Sequence, residues 1–189
     1  MKGMLGAWVL WCGVLLLSGA VAMAETRVAL VMGNSAYVAA SPLRTPVDDA
    51  ALIARTLEGL GFQVTLLRDG DKAAMSRALA DFGSALRNAD DDATGLFFYA
   101  GHAVQSGQRN YLLPVDAQLQ NAADLDLVAL DAEAVLRQMT SASNQTNIFI
   151  LNASRTSPFE GVADLTEPGL AQMAAPDGTF LAFAAAPGT

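Results

Sequence analysis

The stretch that decides the fold is Leu96-Phe97-Phe98-Tyr99-Ala100-Gly101-His102-Ala103, and a later stretch, Ile148-Phe149-Ile150-Leu151-Asn152-Ala153-Ser154-Arg155, has the same design. Each begins as a short apolar run and changes abruptly to small or polar residues. Such runs are typical of strands that are buried on both faces in a parallel sheet. Residues at the carboxyl ends of parallel strands face the crevice where ligands bind. We therefore expect His102 and the hydroxyl of Ser154 to meet there.

Predicted strands and helices alternate along the rest of the chain, with short loops between them. This alternation is typical of a parallel sheet that is covered by helices on both faces. Further strands are expected at 27–32, 62–67, 111–116 and 180–184. A long helix is expected from Asp71, and another is expected to be capped by Asp131. The sequence therefore predicts one α/β domain without repeats.

The first helix has its own start and stop signals. Thr45 is the expected N-cap, and Asp48 would close a capping box with it. Leu57 and Leu60 contribute to an apolar stripe at helical spacing, and Gly61 is expected to end the helix. These signals place the helix directly after the loop that follows the first strand.

The N-terminal segment has the pattern of a secretory signal peptide. Lys2 precedes a long uncharged run that closes at Ala22-Met23-Ala24. A basic start, an apolar middle and an A-x-A end predict cleavage before Glu25. The mature domain would then span residues 25–189 and be periplasmic or secreted. The alternative is an uncleaved membrane anchor, because the uncharged stretch is long enough to span a bilayer.

Composition excludes several classes of function. The one cysteine, Cys12, lies inside the predicted signal peptide, so the mature chain would have no thiol for disulfides or catalysis. The formal net charge of −8 argues against nucleic acid or an anionic membrane as partner. Asp90-Asp91-Asp92 is expected to be a solvated loop, with a calcium site as the minor alternative. Gly33-Asn34-Ser35 lacks the glycine spacing of a dinucleotide site, so no nucleotide is expected. No other cofactor and no metal at the site are expected either.

Taken in order, the motifs resemble the caspase and metacaspase family (peptidase family C14), and most closely the bacterial caspase-like domains of exported proteins. The matching stretches are 28–37, 42–44, 49–50, 61–62, 98–102, 111–117, 155 and 158–159. The resemblance implies a three-layer αβα sandwich with a mostly parallel central sheet, formed by a large-subunit-like part and the start of a small-subunit-like part. The family fold continues past Thr189 into a last strand and helix. We therefore expect a domain that is truncated at its C-terminus, with an exposed sheet edge.

The resemblance also implies roles for five residues. His102 would be the base that activates the nucleophile, and the backbone N–H of Ala103 would help to bind the oxyanion. Ser154 stands where the family has its catalytic cysteine. Asp49 and Asn152 stand where the family has two acids that line a pocket for a basic P1 side chain. The family patterns Gly-His-Gly and Asp-x-Cys are thus Gly-His-Ala and Asn-Ala-Ser in this chain.

These departures favour a catalytically inactive pseudopeptidase that keeps the fold and a cleft for a peptide or protein partner. One alternative is a serine hydrolase that uses Ser154 and His102. A serine needs a strongly oriented base, usually a histidine with a carboxylate partner. Asp116 or Asp131 could approach in space to supply that carboxylate. A further alternative is a truncated remnant without function.

Overall fold

A computed structural model describes residues 25–154, 158–159, 161–162, 165 and 169–184, the side chain of Ser154 excepted. The predicted signal segment, residues 1–24, lies outside the described residues. The strands are Arg27–Gly33 (β1), Gln63–Arg68 (β2), Thr94–Ser106 (β3), Arg109–Leu112 (β4), Leu130–Asp131 (β5), Thr146–Ser154 (β6) and Thr179–Phe183 (β7). The α-helices are Pro46–Gly59 (α1), Lys72–Arg87 (α2), Leu125–Val128 (α3) and Ala132–Thr140 (α4), and a 3-10 turn spans Ala122–Asp124.

The strands form one mixed sheet with a parallel centre. The parallel strands lie in the order β2-β1-β3-β6-β7. Strand β4 extends the sheet by antiparallel pairing with the second half of β3, and β5 pairs antiparallel with β4. Strand β3 is 13 residues long and changes partners along its length. It pairs with β1 up to Ala100, with β6 up to His102 and with β4 from Ala103.

Helices cover both faces of the parallel sheet. Side chains alternate along β1, so Ala29 and Val31 pack with α1 while Leu30 and Met32 pack with α2 and α4. Both sets are buried, which explains why the strands read as unbroken apolar runs. The arrangement is a three-layer αβα sandwich, and the predicted fold class is confirmed.

The helix starts at Asp71 and Asp131 follow the sequence prediction. The Asp71 carboxylate accepts the backbone N–H of Ala74, and the Asp131 carboxylate accepts that of Glu133. The apolar residues that recur at helical spacing along α2 and α4 are buried. They are Met75, Leu79, Phe82, Leu86, Val135, Leu136 and Met139.

Gly61 ends α1 as predicted, directly after the C-cap residue and with a φ of 84°, whereas the start of the helix and the place of Leu60 differ from the prediction. Thr45 has helical backbone angles, and its side chain makes no capping bond, so the expected capping box with Asp48 is wrong. The hydroxyl of Ser35 lies 3.3 Å from the backbone nitrogen of Val47 and accepts that N–H instead. Leu60 follows the last helical residue and is 57% exposed, so it does not belong to the buried stripe.

The strand that carries His102 also continues further than expected. The sequence places the histidine at the end of a strand, whereas β3 runs on to Ser106 because a second partner, β4, takes over the pairing. The parallel pairing of β3 nevertheless ends at His102. His102 therefore lies at the carboxyl edge of the parallel part of the sheet.

Candidate active site

The register of the sheet brings the predicted base and the predicted nucleophile position together. In the parallel pairing of β3 with β6, Gly101 lies opposite Ala153 and His102 lies opposite Ser154. The backbones of His102 and Ser154 are therefore neighbours at the last paired position. The side chain of Ser154 is outside the described residues.

The imidazole of His102 is held in one tautomer. His102 is buried, and its Nε2 lies 2.8 Å from the backbone oxygen of Ser41. A carbonyl oxygen only accepts hydrogen bonds, so in the neutral ring Nε2 carries the proton and Nδ1 carries a lone pair. Nδ1 is buried and has no hydrogen-bond partner among the described residues. The ring thus keeps a basic nitrogen available for a group that enters the site.

The surroundings of His102 disfavour its charged form. Burial lowers the pKa of the imidazole below its ordinary value of 6.5, and the hydrogen bond to Ser41 opposes this only in part. Neither Asp116 nor Asp131, the two acids that could have supplied a carboxylate, bonds to the imidazole: Asp116 accepts the backbone N–H of Lys72, and Asp131 pairs with arginines. The imidazole is therefore oriented by a neutral carbonyl rather than by a carboxylate.

Two buried tyrosines clamp the backbone of His102. The Tyr37 hydroxyl accepts the His102 backbone N–H at 2.7 Å and lies 3.2 Å from the Tyr99 hydroxyl. The Tyr99 hydroxyl lies 2.7 Å from the His102 backbone oxygen and 3.0 Å from that of Leu113, so both carbonyls can accept its proton. The Tyr37 ring also packs against the imidazole, with ring centres 4.6 Å apart. Sequence reasoning matched Tyr37 to the family but gave it no role.

Gly101 makes room for this clamp. A Cβ atom at Gly101 would lie 2.5 Å from the Tyr37 hydroxyl and 2.6 Å from the Tyr99 hydroxyl, closer than such atoms approach. Its φ of 157° also favours glycine. The sequence suggests that small residues beside His102 leave space for a substrate. At Gly101, the space next to the backbone is filled by the tyrosine hydroxyls.

Ala103 can present its backbone N–H where the resemblance requires it. The N–H and C=O of His102 both face the side of β3 on which Tyr37 and Leu113 lie. Successive residues in a strand alternate in direction, so the N–H of Ala103 faces the opposite side, where β6 ends at Ser154. Ala103 does not have a positive φ, so alanine in place of the family's glycine causes no backbone strain.

A cavity of about 220 Å³ lies beside this edge. Asp49 and Asn152 both line it, so the structure brings the two predicted pocket residues together. Asp49 is half-buried in the first turn of α1, and Asn152 is exposed near the end of β6. Arg44 lines the same cavity, which sequence reasoning did not predict. A larger cavity, about 690 Å³, borders Gln118 and α3 and contains none of the predicted site residues that the structure describes.

The loop between β1 and α1 contributes much of the site, and buried polar groups fix where it begins. The side chain of Asn34 is fully buried, donates to the backbone oxygen of Leu113 at 3.0 Å and accepts the N–H of Gly70 at 2.9 Å. The Asp69 carboxylate accepts the backbone N–H groups of the next two loop residues, Ser35 and Ala36. These bonds position the loop that supplies Tyr37 and the carbonyl of Ser41. Within the described ranges, His, Cys, Asp and Glu side chains form no cluster suited to a metal ion.

Comparison with known families identifies this architecture. The Peptidase C14 family, described as the caspase domain, matches residues 26–189. The chain belongs to the caspase family. In this caspase domain, the base position is a histidine and the nucleophile position assigned by resemblance is a serine.

Known relatives share part of the caspase domain. The mucosa-associated lymphoid tissue lymphoma translocation protein 1 homolog of Mus musculus is 29% identical over 133 residues, and so is the corresponding protein of Homo sapiens. These matches cover 70% of this chain and 15% of each relative, so the chain spans a small part of the relatives' length. The crystal structure of protein GSU0716 from Geobacter sulfurreducens has a TM-score of 0.53 at 18% identity, covering 67% of this chain and 50% of that one. That likeness supports the fold alone.

Proposed function

We propose that this caspase domain is an exported pseudopeptidase, which binds peptides at the carboxyl edge of its parallel sheet without hydrolysing them. One observation carries the proposal. The imidazole of His102 is oriented by the carbonyl of Ser41, and no carboxylate bonds to it among the described residues. The residue that stands at the nucleophile position is Ser154, whose hydroxyl depends on such a carboxylate far more than a thiol does.

The chemistry of the two nucleophiles explains why this difference matters. A free thiol has a pKa of about 8.5, so a weak base can generate the thiolate that attacks the substrate. A serine hydroxyl must transfer its proton to histidine during attack, and the resulting imidazolium requires stabilisation. Burial lowers the pKa of His102, so this site destabilises the imidazolium. The same histidine would serve a cysteine better than a serine.

A serine hydrolase is the second candidate, and two observations favour it. Nδ1 of His102 has an unused lone pair among the described residues, and the backbone of Ser154 lies opposite His102 in the sheet. The N–H of Ala103 faces the end of β6 and could serve as an oxyanion donor. Hydrolysis by the unmodified chain that disappears in Ser154→Ala would establish this candidate and overturn the pseudopeptidase.

Restoring the family's residues provides the direct test. The unmodified protein should release no product above a blank from peptides with Arg or Lys at P1. Ser154→Cys combined with Asn152→Asp should give measurable cleavage, because it supplies a thiol and a second pocket acid. Ser143→Cys is the matched control, since it places a thiol at an exposed position outside the site. Equal activity of both thiol variants would argue against the assigned nucleophile position.

Export is a separate part of the proposal and rests on the N-terminal sequence pattern. None of the helices in the described ranges has the length and hydrophobicity needed to cross a bilayer. Mass spectrometry of the protein from the cell envelope should find an N-terminus at Glu25. An intact Met1 in the membrane fraction would instead establish the uncleaved anchor.

A further inference from the structure

The cavity beside Gly101 has an unusual combination of side chains. Its walls come from the loop before α1, the first turn of α1, the end of the parallel part of β3 and the end of β6. A volume of about 220 Å³ is below the range of about 300–1,000 Å³ for drug-sized ligands, so it suits one side chain of a longer molecule. Gly101, which lines the cavity, directly precedes His102 in β3. A peptide that crosses the sheet edge at His102 could place one side chain in it.

Among the described residues that line this cavity, the charged side chains are one cation and one anion, so their charges cancel. Arg44 contributes a guanidinium, Asp49 a carboxylate and Asn152 a carboxamide. Among the described residues, the side chains of these three form no hydrogen bond or ion pair, so all three are available to a ligand. Of the two acids that the resemblance implies at this pocket, Asp49 alone remains. Arg44 cancels that acid.

We infer that this cavity receives an uncharged carboxamide side chain, that of Gln or Asn, rather than a basic or an acidic one. The inference rests on the proposed peptide-binding function and specifies its ligand. A basic side chain would face the like charge of Arg44, and an acidic one would face that of Asp49. A carboxamide avoids both repulsions. Its NH₂ group can donate to Asp49, and its oxygen can accept from Arg44.

Asn152 complements the same ligand group. Its amide has both a donor and an acceptor, so it can form a reciprocal pair with another primary amide. An aspartate at this position would add a negative charge and restore a preference for cations. The replacement of the family's aspartate by Asn152 and the presence of Arg44 therefore both make the cavity less favourable for a basic side chain.

The test compares pools of short fluorescein-labelled peptides with one fixed residue, Gln, Asn, Arg, Glu or Leu, between randomised positions. Binding to the unmodified protein is measured by fluorescence anisotropy. We expect the Gln or Asn pool to bind at least about tenfold more tightly than the Arg and Glu pools. Arg44→Gln should shift the preference towards the Arg pool, and Asp49→Asn should shift it towards the Glu pool.

Two variants serve as matched controls. Arg55→Gln and Asp48→Asn make the same charge changes at exposed positions of α1 that do not line the cavity. They should leave the ranking of the pools unchanged. Tightest binding by the Arg or Glu pool, or equal shifts in the cavity and control variants, would overturn the inference alone. Absence of binding by every pool would overturn the peptide-binding function and the inference with it, whereas Ser154-dependent cleavage would overturn only the pseudopeptidase.

Discussion

At the scale of single residues, the chemistry of the site depends on how His102 is held. Its Nε2 proton is directed to the carbonyl of Ser41, its backbone N–H to Tyr37, and its ring is buried. These contacts fix the position and tautomer of the imidazole, and the effect of burial on its pKa outweighs that of the Ser41 carbonyl, so a positive charge is disfavoured. The geometry therefore retains an oriented base while its strength is reduced.

The titration of His102 tests this description. His102 is the one histidine of the chain, so NMR should show a single imidazole titration, with a midpoint below 6.5 because burial lowers its pKa. When the folded-state pKa is depressed, the unfolded state binds more protons, so stability falls as the pH drops below about 6.5 towards the folded-state pKa. A midpoint at or above 6.5 would contradict the burial seen here.

The corresponding stability measurement uses His102→Gln as the comparison. Free energies of unfolding at about pH 7.5 and about pH 5.5 should differ more for the unmodified protein than for the variant, since glutamine does not titrate. An equal difference in both proteins would show that other groups cause the acid sensitivity.

At the scale of secondary structure, β3 is the element that organises the site. It carries Tyr99 of the tyrosine clamp, Gly101 of the cavity wall and His102, the predicted base. At Gly101, a side chain cannot be added without displacing the neighbouring groups. The hydroxyls of Tyr37 and Tyr99 occupy that space.

Gly101→Ala should therefore destabilise the protein and disturb His102. Overpacking in a core costs about 1–3 kcal/mol, and the φ of 157° adds backbone strain. Gly59→Ala is the control, because a Cβ there meets nothing within 4 Å at the end of α1, and it should be neutral or stabilising by up to about 1 kcal/mol. Urea denaturation measures both. Equal stability of the two variants would show that the space beside Gly101 is not occupied as described.

The secondary structure was predictable where one local signal decides it. Asp71 and Asp131 have side chains that cap their own helices, and the sequence identifies both. The start of α1 was not predictable from Thr45, because the hydroxyl that caps this helix belongs to Ser35, at the far end of the loop between β1 and α1. The continuation of β3 past His102 was also missed, since it depends on pairing with β4.

At the scale of the whole molecule, the site is assembled from segments that are distant in sequence. The family resemblance placed Asp49, His102 and Asn152 at one edge of the sheet, and the structure brings Asp49 and Asn152 into one cavity that is also lined by Gly101, the residue before His102. It gave no role to Tyr37, Ser41 or Arg44. Tyr37 contributes a hydroxyl, Ser41 a backbone carbonyl and Arg44 a wall of the cavity. These contacts depend on how the loop folds, so the sequence alone does not reveal them.

The three tyrosines of the chain connect this assembly to the stability of the domain. Burial raises the pKa of Tyr37 to about 12 and that of Tyr99 well above 10. Burial, together with the hydrogen bond to Asp126, raises the pKa of Tyr111 to about 12. Each phenol is thus protonated in the folded state at pH values where it would ionise in the unfolded chain.

Alkaline unfolding should therefore follow tyrosine ionisation. A group whose folded-state pKa is raised contributes stability that is complete below its unfolded pKa of about 10 and is lost as the pH rises towards the folded value of about 12. Phenolate absorbance should remain low in this interval until far-ultraviolet circular dichroism reports loss of structure, and the two signals should then change together.

Tyr37→Phe should reduce the pH dependence of the free energy of unfolding, because it removes one of these groups. The variant should also lose about 1–3 kcal/mol of stability, because the buried His102 N–H is left without its acceptor. Formation of two or more phenolates per chain near pH 10 in a protein that keeps its circular dichroism would mean that Tyr37 or Tyr99 is open to solvent, and the positioning of His102 by these two tyrosines would then have to be abandoned.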